Sequence, residues 1–200
     1  DAYEEQGRLD WEGMLLNRAN DLAQNGRLAL FNFGIDENGH YLGSTGGKNM
    51  FDTFNRLWRA LVNEGIITNE EYINTNFPQS YRTVEQFTAP FKDSENPVYK
   101  AGLRVEHVET RVVECPFAAD FKTHKKSNLF AKEYIPTLRS WSEATFVSGL
   151  SPQRSMNEKQ EIVDIFYDNY QKLVEESPEG HGMDYVHCYL MIKKEKPSRE

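Results

Sequence analysis

The sequence predicts an α/β fold that contains only part of a sheet, and three observations carry this prediction. Three segments have the composition of strands, at 28–35, 103–114 and 184–194. The first and the last are apolar at successive positions, which is typical of strands that are covered on both faces. Segments whose apolar residues have helical spacing separate these three strands. Because three such strands would leave an exposed edge, the sequence predicts part of a larger sheet.

The first helix is predicted over 10–27, directly before the strand 28–35. Its apolar residues recur at intervals of three and four, as on one buried face of a helix. Asp10 can cap the start, and Gly26 can supply the left-handed residue that ends the helix. The residues of this face are Trp11, Met14, Leu15, Ala19 and Leu22.

The segments between the strands are predicted to be mainly helical. A helix is expected over 49–63, with Gly65 closing it, after a glycine-rich loop. The segment 128–150 is also expected to be helical, but broken near Pro136. Three pairs fit the capping box, in which a hydroxyl and a carboxyl or amide satisfy free helix N–H groups. They are Thr68 with Glu71, Thr83 with Gln86, and Ser155 with Glu158.

Composition excludes several classes of protein. Hydrophobic residues make up 38% and aromatic residues 12% of the chain, which is enough for a core. The longest apolar run falls well short of the about 18 residues needed to cross a bilayer. The net charge of −8 disfavours nucleic acids and anionic membranes. Two cysteines, Cys115 and Cys188, fit a reducing compartment. We therefore expect a cytoplasmic protein with no nucleic-acid or membrane partner.

Motifs for catalysis are scarce in this chain. The segment 43–49 (GSTGGKN) lacks the spacing and the final hydroxyl of a phosphate-binding loop. The five histidines have no metal-ligand spacing, and no GxSxG nucleophile motif occurs. We predict no catalytic residue and no metal ligand. A surplus of aromatic side chains between the strands suits either core packing or an apolar lid over a small ligand.

A family resemblance begins near the N-terminal end and continues through 62–68 (VNEGIIT) and 74–87 (NTNFPQSYRTVEQF). On these motifs the sequence resembles the SABATH family of plant-type methyltransferases. These enzymes use S-adenosylmethionine to methylate carboxyl groups of small acids, such as salicylate, jasmonate and indole-acetate, or nitrogens of xanthines. The positions that match before the first strand are Tyr3, Asp10, Met14-Leu15, Arg18-Ala19, Asp21-Leu22 and Asn25-Gly26-Arg27.

The resemblance implies the C-terminal part of a class I, Rossmann-like methyltransferase with an α-helical cap. It assigns 1–36, 100–115 and 155–194 to the C-terminal half of the sheet, and 45–99 and 116–154 to the cap. The last strand is expected to be central and antiparallel to the other two. The N-terminal, cofactor-binding part of the fold is expected to lie upstream of this chain.

The resemblance also implies S-adenosylmethionine as cofactor and a small-molecule carboxylic acid as acceptor. Since the cofactor-binding residues are expected upstream, this chain alone is expected to be inactive. A carboxylate is already ionised at neutral pH, so its methylation needs no general base. The residues expected to line the acceptor site are Phe31, Phe33, Met50, Phe51, Phe54, Tyr134, Thr137, Leu138 and Tyr185.

A second interpretation is a non-catalytic, methyltransferase-like module that binds a small acid or a partner chain. An exposed sheet edge would favour self-association, so a homodimer is possible on this view. Pairing with the missing N-terminal half is the other expected partnership.

Overall fold

The structure is a computed structural model that describes residues 2–196. Its elements, in chain order, are α1 (Ala2–Asp21), β1 (Arg27–Ile35), α2 (Met50–Asn63), α3 (Asn69–Asn74), β2 (Arg82–Thr83), α4 (Val84–Thr88), α5 (Pro97–Lys100), β3 (Leu103–Val113), α6 (Pro116–His124), α7 (Ser127–Gly149), α8 (Met156–Glu176) and β4 (Tyr185–Lys194). A single 3₁₀ turn, Ala89–Phe91, follows α4.

The chain divides into two compact units. The sheet unit comprises residues 2–42, 79–113 and 185–196 of the described part, and the helical unit comprises 43–78 and 114–184. Residues 79–99 therefore group with the strands and residues 155–184 with the helices. The assignment of one part to a methyltransferase sheet and the other to a cap stays a prediction.

The sheet has four strands in the order β2-β1-β4-β3. β4 is antiparallel to both β1 and β3, so the last strand is central and antiparallel, as predicted. The expectation of three strands is corrected, because β2 pairs in parallel with the end of β1 through Gly34–Arg82 and Ile35–Thr83. β2 consists of Arg82 and Thr83 alone. Two residues are too few to show an apolar alternation, so the sequence gives no signal for this strand.

One face of the sheet packs against α1. Trp11 and Leu15 of α1 are buried with Leu190 and Ile192 of β4, and Leu28 of β1 lies against them. The indole Nε1 of Trp11 donates a hydrogen bond to the Phe87 carbonyl (3.1 Å). This contact fixes the turn of α4 over the same core.

The first helix is longer than predicted and ends differently. α1 begins at Ala2 rather than near Asp10, whose carboxylate accepts a hydrogen bond from the Gln6 amide (2.8 Å) inside the helix. Ion pairs between residues three and four apart on the exposed face stabilise the added turns. The left-handed residue after the helix is Asn25 (φ 63°), not Gly26.

In the helical unit, α7 runs without a break through Pro136, so the predicted interruption is wrong. A proline inside a helix removes one backbone hydrogen bond and costs about 3 kcal/mol. Burial of Ile135 and Leu138 on either side of the proline holds the turn in place and offsets this cost.

The remaining helix signals of the sequence are confirmed. All three predicted capping boxes form, at the starts of α3, α4 and α8. No helix within residues 2–196 is both long and apolar enough to cross a bilayer.

Candidate functional site

Three aromatic side chains form a partly exposed cluster on the helical unit. They are Phe51 of α2, Phe77 of the segment after α3, and Trp141 of α7, and we call them the surface aromatic cluster. The ring centroid of Phe51 lies 6.0 Å from that of Phe77 and 6.4 Å from that of Trp141. The ring centroids of Phe77 and Trp141 are 6.2 Å apart. Trp141 is 37% exposed, and Phe51 and Phe77 are half-buried. The cluster therefore exposes part of three aromatic rings to solvent at one place.

Local hydrogen bonds position the members of this cluster. The Asn49 side chain caps α2 by accepting the Phe51 N–H (2.9 Å), which places Phe51 in the first turn. The segment that carries Phe77 is held by Thr75, whose hydroxyl accepts the Trp58 indole N–H (3.0 Å) and donates to the Glu71 carbonyl (2.9 Å).

Phe54 lies directly beneath the surface aromatic cluster and is only 2% exposed. Its ring centroid is 6.2 Å from Phe51, 5.7 Å from Phe77 and 6.0 Å from Trp141. On its inner side it meets Tyr170 edge-on at 5.8 Å. Aromatic contacts thus run without interruption from the surface to the interior of the helical unit.

Behind Phe54 the interior becomes polar. Three polar atoms there are buried and have no hydrogen-bond partner within the part of the chain that the structure describes: the hydroxyls of Tyr134 and Tyr170, and Nε2 of His181. The ring of Tyr170 lies 6.2 Å from Tyr134 and 5.7 Å from His181. We call these three residues the interior polar cluster. Buried polar groups are nearly always paired. The two tyrosine hydroxyls can pair with each other, whereas the His181 nitrogen favours an ordered water or a ligand polar group here.

Burial keeps the interior polar cluster uncharged at neutral pH. It raises the pKa of Tyr170 to about 12 and that of Tyr134 well above its usual value. It also lowers the pKa of His181 to about 4, helped by the positive charges of Lys48 and Arg56. The cluster can therefore exchange neutral hydrogen bonds with a bound group, beside two cations that favour a negative charge nearby.

The structure places the predicted acceptor residues in both units. In the helical unit, Phe51 belongs to the surface aromatic cluster and Tyr134 to the interior polar cluster. Thr137 is half-buried, and its hydroxyl donates to the Glu133 carbonyl (3.1 Å). Buried at 2% exposure or less are Met50, Phe54 and Leu138.

The other predicted residues lie on the strands of the sheet unit. Phe33 contacts Tyr185 edge-on at 5.5 Å, and Phe31 is 67% exposed on the same strand as Phe33. The structure thus brings Phe33 and Tyr185 together, and separately brings Phe51 and Phe54 together. An acceptor-lining role for each of the nine residues stays a prediction.

The predicted site residues leave out four members of these clusters: Phe77, Trp141, Tyr170 and His181. Phe77 stands in the family-like segment NTNFPQSY, so the motif itself could have indicated it. Tyr170 recurs at helical spacing with Ile162 and Phe166, a pattern that predicts burial and gives no sign of a polar role for its hydroxyl. His181 lies in a polar loop without any pattern, and only the structure shows that it is 5% exposed.

The glycine-rich loop 43–49 is closed by its own contacts. The Gly43 N–H donates to Asp184 (2.7 Å), the Lys48 N–H donates to Gly180 (3.1 Å), and the Lys48 ammonium donates to the Ser177 carbonyl (2.9 Å). These three donors are therefore already used within the helical unit. Among residues 2–196 no group of three or more His, Cys, Asp or Glu residues is arranged to hold a metal ion.

A cleft of about 640 Å³ lies within the sheet unit, between the start of α1 and the segment 80–96. Its charges are largely paired: Arg8 binds Glu5 (2.6 Å) and Glu12 (2.7 Å). Arg82 lies over the Trp11 ring, 5.9 Å from its centroid. We assign no ligand to this cleft.

The chain, whose sheet has a central antiparallel last strand, matches one family of enzymes. The chain matches the family described as SAM dependent carboxyl methyltransferase over residues 1–195, and it belongs to this family.

A solved structure described as loganic acid methyltransferase with SAH is similar to the whole of this chain. The two share 18% sequence identity with a TM-score of 0.54, so the likeness concerns the fold. The match covers 100% of this chain but 51% of that one, and this chain therefore spans about half the length of its structural neighbour. Curated proteins offer no match.

Proposed function

We propose that this chain is the acceptor-binding part of an S-adenosylmethionine-dependent methyltransferase that acts on a small-molecule carboxylic acid. Family membership supports the reaction class. The observation that carries the acceptor-binding role is the surface aromatic cluster stacked over Phe54, with the interior polar cluster behind it. Binding sites for small organic molecules combine apolar walls with a few convergent polar groups in this way.

The proposed reaction needs no acid or base side chain from this chain. The cofactor supplies the methyl group, and an acceptor carboxylate is already ionised at neutral pH. The side chains of the helical unit would contribute by holding the apolar body of the acid and excluding water. Phe51, Phe77 and Trp141 supply ring surface for the acceptor, and burial of Phe54 keeps the floor beneath them dry.

We assign the cofactor-binding residues to a part of the protein outside these 200 residues. The glycine loop 43–49 supports this assignment, because it lacks the spacing of a phosphate-binding loop and its Gly43 and Lys48 N–H groups already donate within the helical unit. On this view the complete protein is active and the 200-residue chain alone is not.

Calorimetric titration with S-adenosylhomocysteine tests the cofactor assignment. We expect no saturable heat from the 200-residue chain, because the glycine-rich segment 43–49 lacks the spacing of a phosphate-binding loop. Loganic acid methyltransferase, whose structure holds SAH, is the positive control. Tight binding by this chain alone would contradict the assignment. A complete protein that binds the cofactor but methylates no acid would instead favour the non-catalytic binding module.

Phe51→Ala is expected to change acceptor preference more than stability. Phe51 is half-buried, and its ring contacts are on the exposed side of the helical unit. Loss of one ring contact to an aromatic ligand is worth about 1 kcal/mol, or roughly fivefold in affinity. The measurement is the affinity of the chain for salicylate, jasmonate and indole-acetate, before and after the substitution.

Ile73→Ala is the matched control for this experiment, because Ile73 is an apolar residue of the same unit that is 66% exposed. It should leave the order of the three affinities unchanged. If Phe51→Ala lowers the free energy of unfolding by several kcal/mol, as for a core phenylalanine, the ring belongs to the core and not to the acceptor site.

A further inference from the structure

Gly149 lies in the last turn of α7 and is buried. Its φ is not in the left-handed region, so the backbone at this position could carry any residue. Glycine is less favourable than alanine inside a helix, and a buried helical glycine therefore needs a packing reason. At Gly149 that reason is Thr75, the residue that follows α3.

Thr75 lies against the bare backbone of α7. A Cβ atom added to Gly149 would stand 2.8 Å from Thr75 Cα and 2.9 Å from Thr75 Cβ, and closer still to Thr75 Oγ1. Real Cβ atoms essentially never come within 3.0 Å of another residue in this way. Because Thr75 Cα belongs to the backbone, no rotation of a side chain could remove the overlap. The glycine is thus what allows the segment after α3 to approach α7 so closely.

Thr75 is held on its other sides as well. Its hydroxyl accepts the Trp58 indole N–H (3.0 Å) and donates to the Glu71 carbonyl (2.9 Å). Two residues beyond Gly149, the Ser151 N–H donates to the Glu71 carboxylate (2.9 Å). Hydrogen bonds therefore fix α3 to the end of α7 next to the contact of Gly149 with Thr75, and Thr75 has little freedom to move.

This contact places Phe77, which follows Thr75 by two residues. The ring centroid of Phe77 lies 5.3 Å from that of Phe146 and 6.2 Å from that of Trp141, both on α7. Phe146 stands three residues before Gly149 and Trp141 eight residues before it, positions that recur on one side of a helix. The segment 75–77 therefore lies along α7, and the depth of Thr75 sets how close Phe77 comes to Trp141.

We propose that Gly149 and Thr75 are positioning residues of the acceptor site, and that they select acids with a planar aromatic body. Their contact holds Phe77 against Trp141 in the surface aromatic cluster. Aromatic rings prefer stacked or edge-on contact with other rings, so rings held in this arrangement favour a flat aromatic acid over a saturated one. A larger residue at 149 pushes the segment outwards, because a packed interior does not absorb extra atoms without a shift. The inference rests on the proposed function.

Gly149→Ala in the 200-residue chain tests the selection of acids. We expect the affinity for indole-acetate, whose body is a planar aromatic ring system, to fall about fivefold, which corresponds to one aromatic contact. The affinity for jasmonate, whose ring is saturated, should change less. Calorimetric titration measures both affinities.

Two control variants accompany this titration. Gly13→Ala changes a glycine of α1 whose added Cβ meets no atom of the described residues within 4 Å. Thr75→Ser keeps the hydroxyl that binds the Trp58 indole and the Glu71 carbonyl. Both variants should leave the two affinities unchanged.

A second measurement needs no acid. The chain has three tryptophans, Trp11, Trp58 and Trp141, so labelling with fluorotryptophan gives three fluorine NMR signals. Gly149→Ala should shift the signals of Trp58, which binds Thr75, and of Trp141, which contacts Phe77. The signal of Trp11, in the sheet unit, should stay in place.

Thr75→Val decides the question if Gly149→Ala does not fold. Valine keeps the shape of Thr75 but removes the hydroxyl that accepts the Trp58 indole N–H. It should shift the same two fluorine signals and lower the affinity for indole-acetate more than that for jasmonate.

Two results would overturn the proposal: a folded variant in which the Trp141 signal does not move, or one that weakens both acids equally. A lower free energy of unfolding with unchanged signals and affinities would likewise reduce Gly149 to a purely structural role. If the unsubstituted chain binds neither acid, the proposed function fails and the selection of acids fails with it. The fluorine spectra then still decide whether Gly149 positions Phe77.

Discussion

Glu71→Gln is expected to lower the free energy of unfolding by about 3 kcal/mol. Glu71 is 2% exposed, and its carboxylate accepts hydrogen bonds from both Nε (2.5 Å) and Nη2 (2.9 Å) of Arg154. The backbone N–H groups of Thr68 (2.8 Å) and Ser151 (2.9 Å) donate to the same carboxylate. The substitution leaves the Arg154 guanidinium without its charge partner. Urea denaturation of both proteins at pH 7 measures the difference.

The same pair predicts a dependence on pH. Hydrogen bonding to Arg154 lowers the pKa of Glu71 from 4.5 to about 2. A carboxyl with a lowered folded pKa stabilises the fold above its unfolded pKa, and the stabilisation is lost as the pH falls from about 4.5 towards 2. The Glu71→Gln protein should lose less stability over this range than the unsubstituted protein does.

Glu70→Gln is the control for Glu71→Gln, since Glu70 is the neighbouring carboxylate of α3 and is exposed. It should change the unfolding free energy by less than about 0.5 kcal/mol. Equal effects at Glu70 and Glu71 would mean that the bond to Arg154 contributes nothing.

Phe54→Ala is expected to cost about 3 to 5 kcal/mol of unfolding free energy, the largest effect of any single truncation at the aromatic site. Its buried ring contacts Phe146 at 5.4 Å and Phe166 at 5.9 Å, in addition to the rings at the surface. Truncation leaves a cavity among rigid rings, which cannot move in to fill it. Guanidinium denaturation of the variant and of the unsubstituted chain gives the value.

Phe51→Ala is the matched variant for Phe54→Ala, because Phe51 lies on the same helix and is half-buried. It should cost less than half as much. If both variants lose the same stability, the surface aromatic cluster is part of the core and its side chains are not free to meet a ligand.

The sequence predicts the sheet well because its signals are local. Apolar residues at successive positions mark β1 and β4. The central, antiparallel position of β4 follows from the family resemblance, and its pairing with β1 and β3 confirms it. The capping boxes are also local and define three helix starts. The errors at Pro136 and at the start of α1 have another cause. Packing keeps α7 helical at Pro136, and exposed ion pairs stabilise the first turns of α1. Both effects override the intrinsic helix propensity of the sequence.

The candidate site is less accessible to sequence reasoning than the fold. Phe51, Phe77 and Trp141 come from three separate segments, and only the arrangement of the helices brings them within contact distance. Aromatic enrichment between the strands suits either core packing or an apolar lid over a small ligand, and the sequence does not decide between them. It could not show that Phe54 forms the floor or that the His181 side chain lies buried behind it.

The path of the chain between the two units bears on how this protein can be altered. Each unit is built from separate segments, and the chain passes from one unit to the other at 42–43, 78–79, 113–114 and 184–185. The strands keep their pairing partners in one unit, while the surface aromatic cluster stands in the other. Loops tolerate changes of length far better than paired strands do. We therefore expect that exchanging both segments, 43–78 and 114–184, between family members transfers the acceptor preference. The strand pairing of the recipient protein should remain unchanged.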